Sequence, residues 1–368
     1  MKKNHLILYL TIFLLILGKS VFDIQLFSQF FKTNHSSHDL TITLGYTSII
    51  GFLIVTMFNY LQRAFRYGFS ILYTYFLLMC AIGFYVYLSK FTIPEGTMEI
   101  LIGFNISLNF LIILMIKGLH VRLGGDEEKK VEKSSNIASH IALFITGMSL
   151  IIVSRLFKDE IFNYKLITFF SFSTVLLSYF FLSYLLKKDK RADAILDNLQ
   201  EIKTKQNLFK LLKTKYFTSI LVSTAFTAVA IVCVYSLFIK VNIIKYDSAI
   251  NLSKIISIAV IIFSMLSIFY ELFLKEKAFY NFSINIHLIL MPLIVSVFGI
   301  IFLSNTFYFR ITEGDELFFF VPIMATVFLV LSHFSFINLL LPVINTLYLP
   351  LKRQNQNDFY IKSCFGGF

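Results

Sequence analysis

Long apolar stretches alternate with short polar segments from one end of the chain to the other. The stretches are 19 to 30 residues long, and an α-helix needs about 20 residues to cross the hydrocarbon core of a bilayer. The pattern predicts an all-α, polytopic transmembrane helix bundle with ten spans. The predicted spans cover residues 6–30, 40–61, 69–90, 98–118, 138–156, 164–186, 216–241, 249–273, 282–304 and 316–345.

The overall composition agrees with a membrane protein. Hydrophobic residues make up 57% of the 368 residues, and charged residues only 15%. That is too little charge to cover the surface of a soluble protein of this size. The expected partners are therefore the lipid bilayer and a small-molecule solute. The sequence predicts no cofactor and no particular oligomeric state.

Lysine and arginine dominate the charge, and the formal net charge is +12. When the N-terminus is placed inside, most of these residues fall in loops on one side, as expected for cytoplasmic loops. The excess charge therefore indicates membrane orientation rather than nucleic-acid binding, and both termini are predicted to be cytoplasmic. Phe is abundant and Trp is absent, which favours an AT-rich bacterial genome and the bacterial cytoplasmic (inner) membrane.

A basic segment divides the predicted spans into six and four. It reads "KKDKRADAILDNLQEIKTKQNLFKLLKTK" and has apolar residues at helical spacing. The predicted domains are an N-terminal six-helix bundle, a basic cytoplasmic linker, a C-terminal helix bundle and a cytoplasmic tail. Their ranges are 1–186, 187–215, 216–351 and 352–368.

Two ionisable residues, Lys19 and Asp23, interrupt the first apolar stretch within "LILGKSVFD". A charge in the bilayer core costs about 2.5–3.5 kcal/mol on insertion scales, so both side chains are expected to face the interior of the bundle. Because they lie four residues apart, they share one helix face and can neutralise each other. Three interpretations stay open: an ion pair that fixes helix packing, a substrate or proton site, and snorkelling of Lys19, which its depth in the span disfavours.

Three further residues are candidates for a substrate site. Asn105 and Asn109 share one face of the predicted fourth span, where they either form hydrogen bonds between helices or line a path. Lys240 lies near the outer end of the seventh span, where it either snorkels or meets a ligand. A shift of 216 residues aligns Ser20 with Ser236 and brings Lys240 close to the first-span motif. Internal repeats with a site between them are a recurrent design of transporters.

The sequence contains no pattern that indicates catalysis or metal binding. It has no P-loop, no HExxH motif, no paired carboxylates and no Ser/His/Asp set. The three cysteines are scattered and form no CxxC pair. The chain is therefore not expected to be an enzyme or to hold a metal.

Six spans, a basic central loop and a second set of spans resemble the major facilitator superfamily. The segment "NYLQRAFRYG", residues 59–68, is similar to the superfamily motif between spans two and three, without its leading Gly and its Asp. Two segments are similar to helices seven and ten of the nucleotide (ATP/ADP) translocase-like branch: "YSLFIKVN" (235–242) and "FSFINLLLPVINTLYLPLKRQ" (334–354). The resemblance implies twelve spans, so four spans after the linker predict an incomplete second half. It also implies that Lys19 and Lys240 meet an anionic substrate.

The leading hypothesis is a secondary active transporter that moves a small, anionic solute such as a nucleotide by alternating access. Its candidate substrate-binding residues are Lys19, Asp23, Asn105, Asn109 and Lys240. Two alternatives stay open. One is an envelope polysaccharide polymerase or lipid-linked flippase, and the other is a non-transporting membrane scaffold. A large external loop would favour the polymerase, whereas the longest predicted loop is cytoplasmic.

Overall fold

The described residues of this chain are almost entirely helical. The computed structural model describes residues 2–33, 37–88, 96–124, 127–156, 160–189, 249–275, 297 and 320–334. No strand occurs among these residues, which confirms the all-α prediction. The chain divides into two compact units, residues 1–205 and 206–368. Most of the predicted basic linker and the predicted seventh and ninth spans lie outside the described residues, so the count of ten spans stays a prediction.

Six long helices follow one another in the first unit. They are α1 (Lys2–Thr33), α2 (Ser37–Ala64), α3 (Tyr67–Leu88), α4 (Thr97–Gly124), α5 (Glu128–Leu156) and α6 (Glu160–Lys188). Five of them begin within a few residues of a predicted span. Helix α5 begins ten residues before its predicted span, because the segment "EKKVEKSSNI" is rich in good helix formers and buries Val131 and Ser135. Because that segment is too polar for lipid, the hydropathy pattern predicted a span only for the apolar part of this helix.

Two helices of the second unit are described. Helix α7 (Ala249–Phe269) continues into a π-helical turn (Tyr270–Leu274), and α8 (Phe320–Phe334) packs against α7. The rings of Phe263 and His333 meet edge to face, with centroids 5.0 Å apart. The described parts of the predicted eighth and tenth spans are therefore helical.

An ion pair joins the π-helical turn to the residue that follows it. The Lys275 Nζ donates a hydrogen bond of 2.7 Å to the Glu271 carboxylate, four residues earlier. The Glu271 side chain is buried, whereas Lys275 is partly exposed. This pair lies at the end of the apolar helix, as expected for a salt bridge near the membrane surface.

Several helices are long and apolar enough to cross a membrane. Among the described residues there are six such stretches: Asn4–Phe30, Tyr67–Leu88, Thr97–Gly124, Lys129–Leu156, Lys165–Lys188 and Leu252–Leu274. The described side chains of α2 add a shorter apolar stretch, Gly45–Phe58. Large apolar side chains such as Phe76, Phe169 and Met265 point outward from these helices. Such surfaces suit lipid and are unfavourable in water, so the architecture is that of a membrane-embedded helix bundle.

Helix α1 is deeply enclosed, and 67% of the residues in its most apolar 18-residue segment are buried. It packs against α5 and α6 and also touches α4, while α2 packs against α4. Gly18 permits the close approach of α6, because a Cβ there would lie 2.9 Å from the Ser171 carbonyl oxygen. Small residues at helix interfaces allow such contacts in membranes. Helix α1 therefore carries its side chains into the centre of the unit.

Polar contacts join several helix ends at one end of the first unit. Asn4, at the start of α1, donates a hydrogen bond of 3.3 Å to Asp189, just after α6. The Arg122 guanidinium carbon near the end of α4 lies 3.7 Å from the ring centroid of Tyr67, at the start of α3. The Tyr67 hydroxyl donates a hydrogen bond of 2.7 Å to the Met115 carbonyl oxygen. The starts of α1 and α3 thus meet the ends of α4 and α6, as in an up-and-down bundle.

Candidate functional site

A buried ion pair lies near the middle of α1. The Lys19 Nζ donates a hydrogen bond to the Asp23 Oδ1, one helical turn further along. At 1.5 Å per residue, Lys19 is about 22 Å from Asn4 and about 16 Å from Phe30, the two ends of the apolar stretch. The pair therefore lies deep within the span, where an uncompensated charge would be costly.

The two members of the pair differ in their exposure. The Lys19 side chain is only 3% exposed, whereas the Asp23 side chain is 20% exposed. Asp23 is therefore the more accessible member of the pair, and Lys19 is enclosed.

Helix α4 supplies a third polar side chain. The Asn105 Nδ2 donates a hydrogen bond of 2.7 Å to the Asp23 Oδ1, so this oxygen accepts from both Lys19 and Asn105. Asn105 is completely buried. Its Oδ1 has no hydrogen-bond partner among the described residues, although buried polar atoms are rarely left unpaired. The site therefore contains an unused acceptor next to a carboxylate.

The position of α4 depends on a close contact with α2. A Cβ at Gly103 would lie 3.0 Å from the Thr47 backbone nitrogen. The Ser107 hydroxyl bridges the same interface, with a hydrogen bond of 3.1 Å to the Thr47 carbonyl oxygen. These contacts flank Asn105 along the chain, so they fix the helix from which its amide reaches Asp23.

Hydroxyl groups of α5 and α6 form hydrogen bonds with the backbone of α1. Ser171 donates a hydrogen bond of 2.7 Å to the Gly18 carbonyl oxygen, and Thr146 donates one of 3.5 Å to the Leu17 carbonyl oxygen. Such interhelical hydrogen bonds stabilise helix packing in membranes. They fix the rotation of α1 directly beside Lys19, and hence the direction in which Lys19 and Asp23 point.

One face of α1 is only partly covered. Phe13, Ile16, Ser20, Asp23 and Phe27 are all partly exposed, and their spacing of three or four residues places them on one side of the helix. Asp23 and Ser20 give this face a polar centre between apolar ends. The exposed edge of the site opens onto this face.

The predicted site residues have different outcomes. Lys19, Asp23 and Asn105 come together in direct hydrogen bonds. Asn109 is half-buried one turn beyond Asn105. Lys240 lies outside the described residues, so its role stays a prediction. Within the described part of the chain, no group of three or more His, Cys, Asp or Glu side chains is placed to hold a metal ion.

Sequence reasoning missed the hydroxyl groups that surround α1. Thr168, Ser171 and Ser178 on α6 all bond to α1: Thr168 reaches the Gln25 side chain at 3.3 Å, and Ser178 reaches the Thr11 carbonyl oxygen at 2.9 Å. Their spacing of three and seven residues puts them on one helix face. That periodicity within an apolar span was a signal for an interhelical interface.

No model of a known protein family matches the sequence, and no curated protein matches it.

Proposed function

We propose that this chain is a secondary active transporter whose solute site contains Lys19, Asp23 and Asn105. The observation that carries the proposal is the partly exposed Asp23 carboxylate deep in a span, held by Lys19 and by an amide with an unused acceptor. Ionisable groups at such depth are costly, and in membrane proteins they commonly mark the path of a substrate or ion. A small solute that enters from the open face of α1 would reach this group first.

The solute proposed for this site is a small anion. Lys19 supplies an ammonium group. When its hydrogen bond to Asp23 is broken, this group can donate to an oxygen of an anion. The resemblance to the major facilitator superfamily and its nucleotide translocase-like branch favours a nucleotide and a mechanism of alternating access. In the same proposal, Asn109 and Lys240 line the path, and the protein lies in a bacterial inner membrane with both termini in the cytoplasm.

Uptake into proteoliposomes tests the proposal. The purified protein would be reconstituted and supplied with radiolabelled ATP, ADP and inorganic phosphate. Lys19→Ala is expected to lower uptake by about tenfold or more, the effect of losing one buried hydrogen bond to a charged group, and Lys240→Ala tests the second basic position. Lys275→Ala is the matched control, because Lys275 also pairs with a carboxylate four residues away but at a helix end. Absence of flux with folded wild-type protein would contradict the proposal.

A non-transporting membrane scaffold is the second candidate. The observation that favours it is the near-complete burial of Lys19 against Asp23, since a closed ion pair can serve helix packing alone. A Lys19→Met, Asp23→Leu double variant separates the two functions. A scaffold would tolerate this exchange of a neutral pair for two apolar residues, whereas a transporter would fold but lose uptake.

A further inference from the structure

We infer that Asp23 takes up a proton when Lys19 binds an anion, so that the site couples one proton to one negative charge of the solute. The inference rests on the proposed function and names the coupling ion of that same site. It follows from three features of the described residues: the neutral charge of the pair, the unused oxygen of Asn105, and the unequal exposure of Lys19 and Asp23.

The first feature is the charge balance of the site. The Lys19 ammonium and the Asp23 carboxylate together carry no net charge. An anion that bound beside them would leave a net negative charge deep in the membrane, and a proton alone would leave a net positive one. Both are unfavourable in a medium of low dielectric constant. Binding of a proton together with one negative charge keeps the site neutral, so each stabilises the binding of the other.

The second feature is the acceptor that Asn105 offers. With Asp23 ionised, the Asn105 Nδ2 donates to the Asp23 Oδ1, and the Asn105 Oδ1 has no partner among the described residues. A carboxylate cannot use this oxygen, because both groups are acceptors. Once Asp23 is protonated on Oδ2, its O–H can donate to the Asn105 Oδ1 while the amide still donates to the Asp23 Oδ1. The unused acceptor therefore becomes satisfied only in the protonated state.

The third feature is the order of access. Asp23 is the more exposed member of the pair, so a proton can reach it while Lys19 remains enclosed. An O–H bond then forms on Asp23, and the attraction between Asp23 and Lys19 is lost. Lys19 keeps its own proton and redirects one N–H from Asp23 to an oxygen of the anion. The proton comes from the solvent, and no covalent bond of the solute is made or broken.

Among the described residues, no hydrogen bond or ion pair joins Asp23 or Lys19 to an ionisable group of a neighbouring helix. On α4, the buried Glu99 is six residues before Asn105, which is about 9 Å along the helix axis. On α5, His140 is six residues before Thr146, whose hydroxyl reaches the Leu17 carbonyl oxygen on the far side of Lys19 from Asp23. Arg155 on α5 and Lys165 on α6 are exposed. Asp23 and Lys19 are therefore the pair on which the charge exchange takes place.

Calorimetry in detergent can count the protons. Nitrate and acetate, which each carry one negative charge, serve as the two probes, and each titration is repeated in two buffers that differ in ionisation enthalpy. Wild-type protein is expected to take up about one proton more per bound anion than Asp23→Asn, because Asn imitates a protonated Asp23. Asp23→Asn is also expected to bind the probes with little dependence on pH, and to gain more thermal stability from them than wild type. Glu271→Gln removes the other carboxylate of an i,i+4 pair with lysine, and should behave like wild type.

A second variant keeps the test independent of Asp23 itself. Asn105→Leu removes one hydrogen bond from the ionised state of Asp23 and two from the protonated state, so anion affinity should fall by about tenfold, the effect of one buried hydrogen bond. Anion binding by wild type without the extra proton, or the same proton uptake by Asp23→Asn, would overturn the coupling and leave the transporter proposal standing. If folded wild type binds neither probe, Lys19 is not an anion site, and the anionic solute and its coupling are both overturned.

Discussion

The Asn105 amide on α4 donates a hydrogen bond of 2.7 Å to the Asp23 carboxylate on α1. This contact joins two helices separated by more than sixty residues of sequence. It also turns an ion pair within one helix into a site built by two helices. From the sequence, Asn105 could be predicted only to pack between helices or to line a path. The tertiary structure gives it a specific partner, Asp23.

Replacing one member of the Lys19–Asp23 pair should destabilise the protein more than replacing both. Lys19→Met leaves the Asp23 carboxylate without its buried cation, and we expect a loss of about 3–5 kcal/mol in the free energy of unfolding. The double variant Lys19→Met, Asp23→Leu leaves no charge behind and should recover most of this loss, except for about 1–3 kcal/mol because the buried Asn105 amide loses its acceptor. Thermal unfolding of the four proteins of this cycle in detergent measures the coupling. A double variant no more stable than Lys19→Met would show that the pair is not the source of the effect.

Gly18 should not tolerate a side chain. A Cβ there would come within 2.9 Å of both the Ser171 carbonyl oxygen and the Val175 Cγ2, so Gly18→Ala should force α1 and α6 apart and cost about 1–3 kcal/mol. Gly83→Ala is the matched control, because nothing lies within 4 Å of a Cβ at that position. It should be neutral or gain up to about 1 kcal/mol of helix propensity. Equal stabilities of the two alanine variants would contradict the close packing at Gly18.

The Tyr67 side chain should stabilise the folded protein through both its hydroxyl group and its ring. Tyr67→Phe removes the hydrogen bond of 2.7 Å to the Met115 carbonyl oxygen but keeps the ring beneath Arg122. We expect a loss of about 1 kcal/mol. Tyr67→Leu also removes the cation–π contact, which adds a further loss of about 0.5–2 kcal/mol. The free energy of unfolding, measured by chemical denaturation, should be highest for wild type, lower for Tyr67→Phe and lowest for Tyr67→Leu. A Tyr67→Leu variant as stable as Tyr67→Phe would argue against the contact with Arg122.

Cys80 offers a test of membrane embedding. It is an exposed, free cysteine in the middle part of α3, about 20 Å along the helix from Tyr67. In a Cys233→Ser, Cys364→Ser background, a lipid-soluble maleimide should label it in intact vesicles, and a membrane-impermeant maleimide should not. Solubilisation in denaturant should make it reactive towards both reagents. Rapid labelling by the impermeant reagent in intact vesicles would place this face of α3 in water.

Much of the fold follows from the sequence because the bilayer imposes a simple rule. A backbone that crosses a hydrocarbon layer must satisfy its own hydrogen bonds, so apolar stretches of about 20 residues predict helices. Five of the six helices of the first unit begin close to the predicted bounds for this reason. The start of α5 was missed because its first ten residues are helical outside the apolar stretch, where hydropathy carries no signal.

The neighbours of each helix could not be predicted in this way. In lipid, apolar side chains gain little from helix contact, so packing depends on small residues and on single hydrogen bonds. Gly18 against Ser171 and Gly103 against Thr47 decide which helices touch, and an apolar pattern looks the same on either side of them. The Lys19–Asp23 pair was predictable because both residues lie on one helix, four positions apart. Three other features depend on how α1, α4, α5 and α6 pack, because contacts between distant segments form only when the bundle assembles. Asn105 reaches Asp23, Lys19 is enclosed while Asp23 is partly exposed, and the Asn105 amide oxygen has no partner among the described residues.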